Sequence, residues 1–142
     1  MAKISLSKIA TALDEYMSEW QQFLNIKTGE IVSLPDDPYL FDDKEEYDRL
    51  VEKIDETDDY KCLPTQYELN EYHIMMDFAC EYPNETISKK LQDALHRSKP
   101  YRHFKEEINH FGIAERYYDY RFRAYTEIAR EWCEYHNIEY DE

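Results

Sequence analysis

Tyr118, Phe122, Tyr125, Ala129, Trp132 and His136 recur at alternating spacings of four and three. That is the period of an α-helix presenting one apolar stripe. Residues from about 114 to 136 are therefore expected to form the longest helix, and the other elements must bury their own faces against it or near it. The stretch is also a basic island. Between Arg97 and Arg130 stand eight Lys/Arg and five Asp/Glu, a window of +3 in a chain of −15, which leaves −18 for the remainder.

That overall charge argues against general affinity for DNA, RNA or anionic lipid and favours solubility and basic partners. Nucleic acid and membranes are not expected as partners. The hydrophobic fraction is 42%, offset by 22 aromatic residues, of which 14 are Tyr. Tyrosine buries a ring while its hydroxyl stays wet or hydrogen-bonded, so a folded chain with an amphipathic core is expected. Only Gly29 and Gly112 are glycines. Loops that cradle phosphates need several glycines for close backbone approach, so P-loop, dinucleotide-fold and kinase-type nucleotide sites are excluded. Cys62, Cys80 and Cys133 are far apart, odd in number and without a CxxC pair, which speaks against a disulfide framework or a Cys-based zinc site. MAKISLSKIA lacks a long apolar core, so no signal peptide is expected. No window approaches a membrane span. Reduced thiols in the cytoplasm fit best.

Ser5 is placed to cap a first helix whose stripe is Leu6, Ile9, Leu13 and Tyr16/Met17. WQQFLN and EIVSL flank IKTG and read as a β-hairpin with Gly29 in the left-handed position, ended by Pro35 and Pro38. From Asp36 to Asp59 stand twelve acids and three bases. Within that run Tyr47, Leu50, Val51 and Ile54 give a helix, starting near Asp42 or Asp43, with a buried stripe and a solvated acidic face. Tyr60–Leu63 fits a short third strand. Thr65 and Glu68 match a capping box, so a helix starts near Gln66 or a turn later at Asn70. Its stripes are Leu69, Tyr72, His73, Met76 and Ala79/Cys80, and beside them Met75, Phe78 and Tyr82. Pro83 ends it. Asn84 or Thr86 caps the next helix, which turns Ile87, Leu91 and Ala94/Leu95 inward. Ser98-Lys99-Pro100 restarts the chain into a short helix with Tyr101, Phe104, Ile108 and Phe111 on one face and Gly112 as C-terminal cap. Ile138–Tyr140 adds an extended piece. The expected architecture is one mainly helical α+β domain over 1–142, with helix, hairpin and acidic helix in 1–63 and a helical core in 64–142. Its small N-terminal antiparallel hairpin packs on a bundle of about five or six helices.

The chain resembles the bacterial family UPF0158. The likeness is carried by Leu24-Asn-Ile-Lys-Thr-Gly29-Glu-Ile-Val32, by Leu63-Pro64 with Glu71-Tyr72-His-Ile-Met75 and Phe78, by Tyr101-Arg102-His103-Phe104-Lys105, and by Tyr118-Asp-Tyr-Arg121 leading to Ala129-Arg-Glu-Trp132. These are similar to that family's TGE hairpin, HEY-IM-F helix, FRRFK motif and WYxFR…AREWL ending. The departures are Asn70 where a His is usual, His103 for the second Arg, and Ser98-Lys99-Pro100 where a small Gly-Ala-like step is usual. The resemblance implies a compact bacterial domain and no particular activity.

Arg102 and Lys105, three apart, can jointly hold a phosphate or carboxylate, with His103 between them. Arg121 borders the apolar stripe. It is either clamped to an acid of the central helix, such as Glu71 or Asp77, or available to a ligand. His103, Glu107 and His110 share a helix face, but without HExxH order this is a weak metal pattern. His73 and His136 fall on apolar stripes and read as core histidines, and Cys80 and Cys133 as buried small hydrophobes. No nucleophile elbow or Ser-His-Asp order is present. Neither a catalytic residue nor a metal or cofactor is assigned. The expected function is a non-catalytic interaction module whose acidic 36–59 face meets a basic protein. The alternative is recognition of a phosphate-bearing small molecule or short nucleic acid through Arg102, Lys105 and Arg121.

Overall fold

The computed structural model describes residues 3–15 and 20–141. Its backbone contacts gather into two compact units, Met1–Leu69 with Thr126–Glu142, and Asn70–Tyr125. The architecture is α+β and mainly helical. Among the described residues no helix is long and apolar enough to cross a membrane.

The first unit holds the strands. β1 (Ile4–Ser5) runs into α1 (Leu6–Asp14). Ser5 caps α1 by accepting from the Lys8 N–H at 3.2 Å. Leu6, Ile9 and Leu13 are buried as their spacing requires, while Tyr16 and Met17 lie outside the described residues. β2 (Trp20–Asn25) and β3 (Ile31–Pro35) form the expected antiparallel hairpin. Its turn is built by Asn25, whose Oδ1 accepts from the N–H groups of Lys27 and Thr28, and by Gly29 at φ +80°. β4 (Tyr60–Cys62) pairs with the other side of β2, giving the order β3-β2-β4. The expected third strand is thus present as β4, the expected first helix as α1, and the hairpin, preceded by β1 and α1, is not strictly N-terminal. β5 (Tyr140–Asp141) pairs in parallel with β1, Ile4 opposite Tyr140.

A 3₁₀ turn at Pro38–Leu40 and α2 (Lys44–Asp55) carry the acidic stretch. Asp43 caps α2 by accepting from the N–H groups of Glu45 and Glu46. Phe41 ties the stretch down, lying 6.3 Å from the Trp20 ring and 5.9 Å from the Tyr47 ring. The stripe of Tyr47, Leu50, Val51 and Ile54 is half-buried rather than buried.

Both helix starts permitted by the capping-box region are used. Thr65 and Glu68 exchange hydrogen bonds at the head of α3 (Gln66–Leu69), and Asn70, at φ +47°, caps α4 (Glu71–Glu81). In the second unit α4 packs on α5 (Glu85–Leu95), and α5 packs on α6 (Pro100–His110). Asn84 caps α5. Lys99 takes φ +55° to turn the chain into Pro100, the first residue of α6. Gly112, at φ +69°, closes α6 while the Ile113 N–H donates to the Ile108 carbonyl at 2.9 Å.

α7 (Ala114–Tyr135) is the long helix, but its buried face is turned by one residue from the expected stripe. Tyr117 is fully buried, whereas Tyr118 is 40% exposed. Tyr125, Ala129 and Cys133 continue the buried line, Phe122 and Trp132 flank it half-buried, and His136 is exposed. In α4 the buried positions are Ile74, Met75, Phe78 and Ala79. His73 and Cys80, expected in the core, are exposed, and Met76 is half-buried. The reason is the bulk at the centre of this unit. The Tyr117 ring sits 5.4 Å from Phe78 and 4.9 Å from Phe104, and those contacts fix how α4 and α7 rotate.

Lys99 and Gly112 occupy the same strained region with opposite residue choices. A left-handed residue with a side chain costs roughly 1–2 kcal/mol, offset by up to about 1 kcal/mol of unfolded-state entropy when it is glycine. Lys99→Gly is expected to stabilise by about 0.5–1 kcal/mol and Gly112→Ala to destabilise by a similar amount. Urea unfolding measures both, and a destabilised Lys99→Gly variant contradicts the assignment.

Candidate functional site

Three places carry the residues from which a function can be built. The first is the exposed face of α6. Arg102 donates from Nε to Glu106 Oε1 at 3.0 Å, and His103 Nδ1 lies 3.6 Å from Glu106 Oε2. Lys105 is exposed. Glu106, one turn along, thus neutralises much of the charge that made this motif attractive as an anion site. Beneath it Phe104 is fully buried, and Tyr101 stands edge-on to Tyr72 at 6.5 Å. The Tyr72 hydroxyl donates to the Leu95 carbonyl. The aromatic members of the motif are therefore packing residues.

The second place is Arg121. Its Nη1 donates to Glu71 Oε2 at 2.8 Å, and the Tyr117 hydroxyl donates to the same oxygen at 2.8 Å. The two charged side chains are only 15% and 18% exposed. The guanidinium carbon lies 4.9 Å from the Tyr118 ring centroid and 5.7 Å from that of Tyr125. Tyr118, turned out of the core, thus covers the arginine. Burial first, and the Glu71 charge second, push the Tyr117 hydroxyl far above the ordinary tyrosine value, so it remains a donor. Of the two roles open to Arg121, this geometry is the internal clamp on Glu71. Tyr117 was missed because adjacent tyrosines satisfy a helical stripe equally well.

The third place is the acidic stretch. Eleven of the twelve acids from Asp36 to Asp59 are exposed, Asp59 alone being half-buried. Asp59 pairs with Lys27 at 3.5 Å. Among the described residues none of the other eleven forms an ion pair. Tyr39, raised on the 3₁₀ turn by the Asp37 cap, is 94% exposed, and Leu40 is 47% exposed. A shallow cleft of about 270 Å³ beside them is lined by Pro38, Tyr39, Phe41, Asp42 and Lys44. The exposure of Tyr39 and Leu40 has no signature in periodicity.

Burial raises the Cys62 thiol and pushes Cys133 up to about 11, opposite to what an activated thiolate needs. Trp132 Nε1 donates to the Cys62 carbonyl at 3.1 Å, a structural contact. Among the described residues no three His, Cys, Asp or Glu side chains converge to hold a metal ion, so His103, Glu107 and His110 are not brought together as ligands. Comparison with known proteins adds no further assignment: no protein-family model, curated protein or solved structure matches the chain.

The helical phase predicts that Tyr117→Phe costs about 1.5–3 kcal/mol, the range for hydrogen bonds to charged groups. Tyr118→Phe is expected to cost less than about 0.5 kcal/mol, as exposed positions do. Equal effects in urea unfolding contradict the assigned phase.

Glu30 supplies a pH test. Hydrogen bonds from Lys53 at 3.0 Å and Tyr60 at 3.1 Å hold its carboxyl below the usual carboxylate value. A lowered folded-state value contributes stability above the unfolded-state value, and that contribution is lost as pH falls through the folded one. Solvent screening keeps it small, because Glu30 is 48% exposed. A carboxyl NMR titration of Glu30 is expected to show a depressed midpoint that rises in Lys53→Ala, and an unmoved midpoint refutes the contact.

Proposed function

We propose that this chain is a non-catalytic interaction module that binds a basic protein partner through its 36–59 face. The observation that carries the reading is the set of eleven exposed acids, none ion-paired among the described residues, beside exposed Tyr39 and Leu40. A surface that serves only solubility has no need of this arrangement. Glu45 and Glu46 gain from the positive end of α2, but Glu52, Asp55 and Glu56 lie at its negative end, where the base of the last turn, Lys53, is paired with Glu30. Acids kept against the helix dipole, next to an apolar tip, suit an interface with a Lys/Arg-rich surface and one aromatic anchor.

The division of charge supports the same reading. Residues 70–125 contain nine Lys/Arg and nine Asp/Glu, so the whole net charge of −15 belongs to the unit that carries α2. Long-range steering of a basic partner is thus directed at one unit. Membership of UPF0158 and a cytoplasmic setting are part of the proposal. The first rests on the ordered motifs around Gly29, Glu71, Phe104 and Trp132, and the second on three free thiols.

The test is affinity capture from a bacterial lysate with the native chain, an E45K/D48K/E52K variant and a Y39A variant. Basic proteins retained by the native chain are expected to be lost at least about tenfold on charge reversal and to be weakened by Y39A. Capture of the same proteins in the same amounts by all three rejects the reading.

A further inference from the structure

Phe78, Tyr82 and Tyr120 bound a cleft of about 390 Å³ within the second unit, edged by Pro83, Arg116 and Arg123. Phe78 is its buried floor, with ring centroids 5.6 Å from Tyr82 and 5.4 Å from Tyr120. The Tyr120 hydroxyl donates to Glu81 Oε2 at 2.8 Å, which fixes the ring and engages that carboxylate. Burial, then the Glu81 contact, push this hydroxyl up to about 12, so the wall stays neutral and hydrogen-bonded at physiological pH.

Arg116, Asp119, Tyr120 and Arg123 come from successive turns of one face of α7. Among the described residues neither Arg116 nor Arg123 has a carboxylate within ion-pairing distance, even though Asp119 stands between them on the helix. Two other arginines of this unit are ion-paired, Arg121 with Glu71 and Arg102 with Glu106. Two exposed guanidinium groups are thus left at the rim of an aromatic cleft. Its volume is within the range of small-molecule sites.

We propose that this cleft binds a small aromatic monocarboxylate, its ring against Phe78, Tyr82 and Tyr120 and its carboxylate at Arg116 and Arg123. A planar ring gains offset and edge contacts from three aromatic walls. A guanidinium fork matches a carboxylate in two parallel hydrogen bonds. Glu81 and Asp119 also line the cleft, so its lining carries no excess positive charge and suits a single carboxylate held by the guanidinium forks rather than a polyphosphate. This site shares no residue with the acidic face of α2.

The experiment is a titration of the full chain, followed by amide chemical shifts, with phenylacetate, 2-phenylethanol, acetate and ATP. Phenylacetate is expected to give saturable shifts at Tyr82, Arg116, Tyr120 and Arg123. The ring alcohol, acetate and ATP are each expected to bind at least about tenfold more weakly. R116Q/R123Q is expected to lose at least about tenfold, the scale of a charge-assisted hydrogen bond. K89Q/K90Q removes two exposed charges from α5 and is expected to leave binding unchanged. Absence of saturation with phenylacetate, equal binding of 2-phenylethanol or ATP, or equal loss in the two double variants overturns the proposal.

Discussion

Glu71 stands in the first turn of α4, where the helix's free N–H groups favour a negative charge. One of its oxygens accepts from both Tyr117 and Arg121 of α7. An arginine at 15% exposure among tyrosine rings is tolerable only if its charge is answered, and a carboxylate at 18% only if its lone pairs are filled. The contact answers the guanidinium charge and gives Glu71 Oε2 two donors. It also sets the rotation of α7, because Tyr117 can reach Glu71 only when its ring is wedged between Phe78 and Phe104. Once that ring is inside, Tyr118 must face out over the guanidinium, and Tyr120 and Arg123 are carried to the cleft at Tyr82.

The same logic separates structure from surface in the basic region. Aromatic residues of the Tyr101–Lys105 and Tyr118–Arg121 segments pack or cover, and Arg121 and Arg102 meet acids of their own unit. What began as a basic island resolves into the paired Arg121 and Arg102, exposed bases such as Lys105, and two arginines at one rim. The negative charge, by contrast, is concentrated in the other unit, on a helix and a turn whose exposed acids outnumber the three cations among them. Repulsion among eleven exposed acids costs stability, and the Phe41 contacts with Trp20 and Tyr47 help hold the stretch in place.

Much of the fold was legible because it is encoded locally. Ser5, Asp43, Thr65, Asn70 and Asn84 cap the helices they precede, and Gly29 and Gly112 adopt the left-handed conformation that their positions called for. Each depends on a few adjacent residues. The helical phase of α4 and α7 was not legible to the residue. Tyr117 and Tyr118 are the same side chain, and contacts distant in sequence, with Phe78, Phe104 and Glu71, decide between them. His73 and Cys80 were misplaced by the same rotation. The pairing of β1 with β5 spans nearly the whole chain through two-residue strands, too short for any period to show. At the site, Glu71 as the partner of Arg121 was foreseeable from the surplus of acids. The exposure of Tyr39 and the cleft around Tyr82 arise from tertiary placement and leave no pattern in the sequence.

The central claim is that Glu71 and Arg121 act as one unit. A double-mutant cycle of Glu71→Gln, Arg121→Met and the pair, read by urea unfolding, measures it directly. Each single change is expected to cost about 2–4 kcal/mol, since it leaves the other group partly buried without its partner. The double variant is expected to cost less than the sum by at least about 1 kcal/mol. Additivity within roughly 0.5 kcal/mol contradicts the clamp and with it the assigned orientation of α7.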